Sequence, residues 1–170
     1  MRNIAMAIAF QLGWFACILS GARGWLLTAL AAAAVVLACN LWLARQELMR
    51  ELRLIAWVTG VGFVVETINL ATGVFTLAVP SLHPWLCPVW LVLLWTLFAT
   101  LLRGPFARLS ERYWLSALLG ALFAAPNYFA GARLGAVTFS DNLVYSFGVL
   151  ALLWALAMPL MVWLARENKQ

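Results

Sequence analysis

Six long apolar runs follow one another along this chain and are joined by short polar linkers. Each run holds roughly 17 to 26 residues, and a helix needs about 20 apolar residues to cross a hydrocarbon layer of about 30 Å. A helix satisfies its own backbone hydrogen bonds in lipid, whereas an irregular segment does not. The sequence therefore predicts an all-α polytopic membrane protein, a six-helix transmembrane bundle that forms one domain over residues 1–170. The predicted spans are 4–20, 25–44, 54–79, 85–102, 113–132 and 143–165.

The composition excludes a soluble domain. Only 10% of the residues are charged and 66% are hydrophobic, whereas about 25% of a soluble domain is charged because its surface faces water. The net charge of +5 lies in short linkers beside the apolar runs. Basic residues at such positions indicate orientation and attraction to anionic lipid, so no nucleic-acid partner is expected.

The basic residues predict how the spans are oriented. Cytoplasmic linkers of membrane proteins carry an excess of Arg and Lys. With six spans and a cytoplasmic N-terminus, only Arg23 and Arg133 of the 11 basic residues lie on the outer side. This bias predicts that both termini are cytoplasmic. The inner-side residues are Arg2, Arg45, Arg50, Arg53, Arg103, Arg108, Arg112, Arg166 and Lys169.

Tryptophan and tyrosine cluster near the predicted boundaries, where their amphipathic rings favour the headgroup level. Trp14, Trp95 and Trp154 lie deeper in their spans, so we expect them to pack between helices or against lipid. The boundary residues are Trp25, Trp42, Trp57, Trp85, Tyr113, Trp114 and Trp163.

The cysteines and the single histidine do not form a recognisable site. Cys17 and Cys39 lie inside predicted spans, Cys87 lies near a membrane surface, and no CxxC pair is present. His83 and Cys87 form an H-x-x-x-C pair, but a zinc site needs three or four ligands. We therefore expect no disulfide, no metal and no cofactor, and we expect His83 to belong to an interfacial loop.

The third run carries its polar and small residues at intervals of three and four, which keeps them on one face of a helix. At 1.5 Å per residue the face would extend about 25 Å and traverse most of the bilayer. It must face other helices or a hydrated cavity, because each unsatisfied polar group in lipid costs several kcal/mol. The residues of this face are Thr59, Gly62, Glu66, Asn69, Gly73 and Thr76.

Glu66 is the most informative residue of this face. It lies about 18 Å from the start of its predicted span, slightly past the bilayer midplane. A charged carboxylate there costs at least about 2.5–3.5 kcal/mol, so it will be paired, hydrogen-bonded or protonated. Arg23 and Arg133 each end a tripeptide GAR and are the two cations within reach. An ion pair with Glu66 or Asp141 would explain these outer-side arginines, as would an anionic lipid headgroup or substrate.

The fifth run carries small residues at a spacing that lets two helices approach closely. We therefore predict that the third and fifth helices pack face to face around one polar site. Glu66 is the candidate catalytic residue. The predicted substrate-binding residues are Glu66, Asn69, Asn127, Tyr128, Arg133 and Arg23, with Gln11 as a further candidate, and the small-residue face comprises Ser116, Gly120, Ala124, Asn127 and Gly131.

A purely structural role fits the same residues. Buried polar clusters in membrane bundles often fix helix register and contribute about 0.6 kcal/mol per hydrogen bond. Intramembrane ionisable residues, on the other hand, commonly mark function. The sequence leaves both interpretations open.

Three segments carry a resemblance to a known family: "FQLGWFACILSG" (10–21), "LFATLL" (97–102) and "GARLGAV" (131–137). The chain resembles, nearly from end to end, a bacterial inner-membrane family of unknown function. The resemblance implies a small multi-pass protein in the cytoplasmic membrane, encoded near genes for cyclopropane-fatty-acid-synthase-like enzymes and an oxidative-stress regulator. It thus implies a role in modifying or protecting membrane lipids, and it supplies no catalytic residues.

Three functions remain open at this stage. The first is a lipid-handling protein, either an enzyme or an accessory to fatty-acid modification or envelope stress protection, whose partners are membrane lipids. The second is a small transporter that uses Glu66 as a proton or cation carrier. The third is a structural membrane subunit. A second copy of the chain or a partner membrane enzyme is expected for the first two.

Overall fold

The computed structural model describes residues 2–81 and 83–167, except for the side chains of Arg2 and Ser110. Lys169, which entered the charge count, lies outside the described residues. Within the described part, six α-helices account for most of the chain, so the all-α prediction is confirmed. The helices are α1 (Arg2–Arg23), α2 (Leu26–Leu43), α3 (Leu48–Ala71), α4 (Val89–Leu102), α5 (Tyr113–Arg133) and α6 (Leu143–Glu167). Two 3-10 turns, Arg45–Glu47 and Ala107–Glu111, precede α3 and α5.

Five of these helices are long and apolar enough to cross a membrane, and the chain is a membrane-embedded protein on that ground. The sixth, α4, has 14 residues and is about 21 Å long at 1.5 Å per residue, which is shorter than a full span. Pro84 and Pro88 precede it. Proline lacks a backbone N–H and prevents the helix from starting earlier.

The helices run alternately up and down, so their ends gather at two opposite faces. At one face Arg103 forms an ion pair with Glu47, and Arg166 donates to Tyr113. At the other face the α1–α2 turn approaches the segments that follow α3 and α5. The predicted inner-side arginines among the described residues lie at the first face, and Arg23 and Arg133 lie at the second. Which face is cytoplasmic stays a prediction from the charge bias.

The third predicted span, 54–79, was wrong at both ends. Helix α3 begins at Leu48, so much of the linker 45–53 is helical, and it ends at Ala71. Gly73 has φ of 70°, a left-handed conformation that terminates a helix and favours glycine. Gly73 and Thr76 therefore do not continue the polar face of α3, which runs from Thr59 to Asn69 and extends about 15 Å.

Two short strands, which the sequence did not predict, close the second face of the bundle. Strands β1 (Phe75–Leu77) and β2 (Val137–Phe139) pair antiparallel, with Thr76 opposite Thr138 at the centre of the register. They follow α3 and α5 through matching turns, since Gly135 also has a positive φ, of 83°.

The two turns also have the same hydrogen-bond pattern. After each glycine the next amide donates to the carbonyl five residues earlier, at 2.9 Å for Val74 and 3.0 Å for Ala136. The units α3–β1–α4 and α5–β2–α6 are thus two similar helix–strand–helix segments, placed side by side.

Helices α3 and α5 do not pack face to face, contrary to the prediction. Helix α5 packs along α6, and α3 packs against α4 and α6. The small-residue face of α5 accommodates α6, because a Cβ on Gly120 would clash with the Trp154 carbonyl and the Met158 side chain. Close approach at small residues was predicted correctly, but its partner helix was not.

Candidate functional site

The carboxylate of Glu66 is the centre of a buried hydrogen-bond cluster near the second face of the bundle, where Arg23 and Arg133 lie. The residue is 1% exposed. Its Oε1 accepts hydrogen bonds from the hydroxyl of Tyr128 on α5 and, at 2.9 Å, from the indole N–H of Trp95 on α4. Its Oε2 accepts one from the amide of Asn69, at 3.3 Å. Three helices thereby meet at one carboxylate, and all three donors are neutral.

Gly62, one turn before Glu66, makes the bond from Trp95 possible. A Cβ at this position would overlap the Cβ, Cγ and Cδ2 atoms of Trp95. The indole therefore lies directly against the backbone of α3, with its N–H directed at the carboxylate. Trp95 is 3% exposed, so of the two expected positions, between helices or against lipid, it takes the first.

A second indole, on α6, donates its N–H to a residue of α5, as Trp95 on α4 donates to Glu66 on α3. The Nε1 of Trp154 on α6 donates to the Tyr128 hydroxyl at 3.4 Å, and its ring stacks on Trp95 with 4.7 Å between centroids. Glu66 and Tyr128 are 62 residues apart, the same separation as Thr76 and Thr138. The site thus lies where the two similar helix–strand–helix segments meet.

A cavity of about 50 Å³ opens beside Glu66. A water needs about 10–15 Å³ of such space, so the cavity holds about three or four waters or a compact group of similar size. Its walls are mostly aromatic. The aromatic lining residues are Phe10, Trp14, Trp90, Trp95, Phe98, Tyr128 and Trp154, and Asn127 also borders the cavity.

A much larger groove, of about 980 Å³, runs between α1 and α5. It follows α5 from Leu119 to Leu134, about 22 Å at 1.5 Å per residue. Its walls are apolar except near Gln11, Asn127 and Arg133. The groove and the Glu66 cavity share a wall made of Phe10, Trp14, Phe98, Asn127 and Trp154.

The structure brings only part of the predicted site together. Asn69 and Tyr128 bind Glu66, and Asn127 borders its cavity. Gln11 and Arg133 line the groove instead. The substrate-binding roles of these residues stay predictions.

Of the two explanations for the outer-side arginines, the structure does not support the ion pair with Glu66 or Asp141. Among the described residues, neither Arg23 nor Arg133 lies within salt-bridge distance of Glu66 or Asp141. Arg23 lies over the ring of Trp25, with 5.0 Å to its centroid. The uncharged donors around Glu66 occupy the positions that sequence reasoning gave to a guanidinium.

The depth of Glu66 also requires correction. It lies five residues, about 7.5 Å, before the last residue of α3, rather than past the middle of a longer span. The error came from the predicted start at residue 54 and end at residue 79. The cavity is consequently close to the second face of the bundle, next to the two strands.

A second buried carboxylate on α3 was missed by the sequence analysis. Glu51 is 3% exposed, accepts a hydrogen bond from Asn40 at 2.9 Å and forms an ion pair with Arg103 at 3.3 Å. Arg103 also lies 3.5 Å from Glu47. This cluster joins α2, α3 and α4 at the opposite end from Glu66.

The fold and the site define a polytopic helical membrane protein with a buried, hydrogen-bonded carboxylate in an aromatic cavity. The chain belongs to the DUF2878 family, described as a protein of unknown function, whose profile matches residues 3–160. The prediction of a family of unknown function is thereby confirmed, while the expected gene neighbourhood stays a prediction. Searches of curated proteins and of solved structures gave no match.

Proposed function

We propose that the protein is a lipid-handling protein of a bacterial inner membrane, which holds one acyl chain in the groove between α1 and α5. The observation that carries this proposal is the groove itself, an apolar channel that opens beside the cavity of Glu66. Its length of about 22 Å exceeds half of a hydrocarbon core of about 30 Å, the depth of one leaflet. An acyl chain matches both its length and its apolar walls.

The polar residues of the groove support a lipid with a phosphate headgroup. Arg133 lines the groove near the outer end of α5, and a guanidinium binds phosphate oxygens in bidentate fashion. Asn127, six residues before this arginine, lines both the groove and the cavity of Glu66. A chain anchored by its phosphate at Arg133 would pass Asn127 and bring its first atoms next to the Glu66 cavity.

The packing below the cavity favours lipid handling over transport. An apolar core that includes Leu54, Val58 and Val65 separates Glu66 from the opposite end of α3. Leu54 and Val58 are fully buried. A proton or cation carrier needs a path to both faces, whereas a lipid reaches the groove from the side.

Lipid retention by the purified protein tests the groove. We expect Ala130→Trp, which fills the groove, to lose co-purified phospholipid, as measured by extraction and mass spectrometry against protein concentration. Leu122→Trp is the matched control, because Leu122 is exposed on α5 outside the groove. Equal lipid retention by the two variants would refute the proposal.

The role of Glu66 is tested in cells. A deletion strain complemented with wild type or with Glu66→Gln should differ in its fatty-acid or headgroup profile under oxidative stress. Identical profiles, with both proteins present at equal levels, would argue that Glu66 has no role in lipid chemistry. A partner membrane enzyme, or a second copy of the chain, stays a prediction.

A further inference from the structure

We propose that the cavity beside Glu66 binds the ammonium group of its ligand, so that the lipid held in the groove is an amine-bearing phospholipid. This inference rests on the proposed function for the lipid, but the ammonium site itself depends only on the cavity. Three features of the described residues carry it.

The first feature is a buried carboxylate without a cation. Tyr128, Trp95 and Asn69 donate three hydrogen bonds to Glu66, so neutral donors hold the carboxylate in a fixed position. No basic side chain among the described residues lies within salt-bridge distance of it. The position next to an organised carboxylate is therefore open to a positively charged ligand.

The second feature is the aromatic wall. The faces of Trp, Tyr and Phe rings carry negative potential, which attracts a cation and disfavours an anion. Seven aromatic residues line a cavity that contains one carboxylate. Rings whose faces border the cavity would favour a carboxylate with a bound cation over a carboxylate alone. Cages of this composition are well suited to ammonium and quaternary ammonium groups.

The third feature is the donor set, which distinguishes an organic cation from a metal ion. Hard metal ions such as Ca²⁺ take six to eight oxygen ligands. In the described part of the chain, no group of three or more His, Cys, Asp or Glu side chains is placed to hold a metal ion. The volume of about 50 Å³ fits a compact head of a few heavy atoms, about the size of three or four waters.

The charges of cavity and groove complement a zwitterionic headgroup. Glu66 provides the negative site, and Arg133 provides a positive site at the end of the groove. Along α5, Arg133 lies five residues, about 7.5 Å, from Tyr128. An amine-bearing phospholipid carries both charges in one headgroup, whereas an anionic lipid leaves the carboxylate without a partner.

Titration of the purified protein with tetramethylammonium tests the ammonium site, because this probe has no acyl chain. Four tryptophans line the cavity, so binding should change the intrinsic fluorescence in a saturable way, with sodium at equal ionic strength as the reference. Glu66→Gln should weaken the probe about tenfold or more, since each 1.4 kcal/mol of lost attraction is a factor of ten. Glu47→Gln is the matched control and should bind like wild type, because Glu47 is half-exposed and pairs with Arg103 at the opposite end.

Two further measurements keep the test decisive if Glu66→Gln unfolds. Circular dichroism reports the fold of each variant, and acidification of wild type should weaken the probe because protons and cations compete for one carboxylate. A saturable response that is independent of both pH and Glu66, or no response in wild type, would overturn the proposal.

Two separate experiments test whether the ligand is a lipid. Ala130→Trp should lose lipid and still bind tetramethylammonium, since Ala130 does not line the cavity. In vesicles that contain equal amounts of amine-headed and glycerol-headed phospholipid, the wild type should retain the amine-headed lipid about tenfold better. Equal retention, together with binding of the small probe, would confine the site to free amines and overturn the lipid assignment.

Discussion

The contact between Gly62 and Trp95 predicts opposite effects for two glycine substitutions on the same helix. A Cβ at Gly62 would lie less than 3.0 Å from three atoms of the Trp95 side chain, whereas a Cβ at Gly60 has no neighbour within 4 Å. Both changes to alanine gain the same helix propensity, about 0.8–1.0 kcal/mol. The difference between the two variants therefore reports the contact with the indole alone.

The magnitude of this difference follows from two costs. Overpacking a filled position costs about 1–3 kcal/mol. Displacement of Trp95 also removes its 2.9 Å hydrogen bond to the Glu66 carboxylate, and a bond to a charged group contributes about 1.5–3 kcal/mol. We expect Gly62→Ala to be less stable than Gly60→Ala by about 2.5–6 kcal/mol.

Thermal unfolding in detergent, followed by near-UV circular dichroism, measures the difference. One kcal/mol corresponds to about 2–4 °C for a chain of this size, so the two midpoints should differ by at least about 5 °C. Gly60→Ala should unfold at or above the wild-type temperature. Midpoints that agree within about 1 °C would show that the indole does not lie against Gly62, and the described geometry of the site would be wrong.

Three further substitutions test the fold and the two buried carboxylates. Tyr128→Phe should lower the free energy of unfolding by about 1.5–3 kcal/mol, because Glu66 loses one donor; denaturant unfolding measures this, and an unchanged midpoint would contradict the hydrogen bond. Glu51→Gln should cost about 3 kcal/mol, since it leaves the charge of Arg103 with one carboxylate fewer. The same assay checks it, and restored stability in the Glu51→Gln, Arg103→Gln double variant would confirm the coupling. Gly135→Ala should cost about 1–2 kcal/mol because alanine is strained at a φ of 83°, and a neutral thermal midpoint would contradict the turn.

The sequence predicted the helices well, because apolar length and arginine placement are properties of single segments. The sequence-based predictions were wrong where the structure depends on contacts between segments that are distant in the chain. Gly73 fitted a helical face by spacing, yet its φ of 70° ends α3, and that conformation is favoured by the pairing of β1 with β2. The spacing of glycines did not distinguish a turn from a helix contact, since both require the absence of a Cβ.

The same limit applies to the candidate site. Glu66 and Tyr128 were singled out as intramembrane polar residues, a signal carried by each residue alone. Trp95 and Trp154 were expected only to pack, because an indole N–H becomes a site residue only when a neighbouring helix brings an acceptor to it. Gly62 offered a usable signal, as a small residue one turn from the glutamate marks where another helix approaches closely.

The two buried glutamates of α3 bear on the choice between a structural and a functional site. Glu51 and Glu66 are both almost fully buried. Glu51 meets Arg103 and Asn40, so its charge is balanced within the bundle. If Glu66 only fixed helix register, a similar ion pair would stabilise it more than three neutral donors, because an uncompensated carboxylate in a membrane costs at least about 2.5–3.5 kcal/mol.

Around Glu66 the described residues provide donors and aromatic faces but no cation. Arg133, which lies on the same side of the bundle, is directed to the groove and does not reach the carboxylate. If Glu66 is ionised, the bundle pairs one buried glutamate with arginine and leaves the charge of the other unpaired, at a cost in stability. Such a cost is expected where a ligand supplies the missing charge, and the ammonium titration of Glu66 measures that ligand directly.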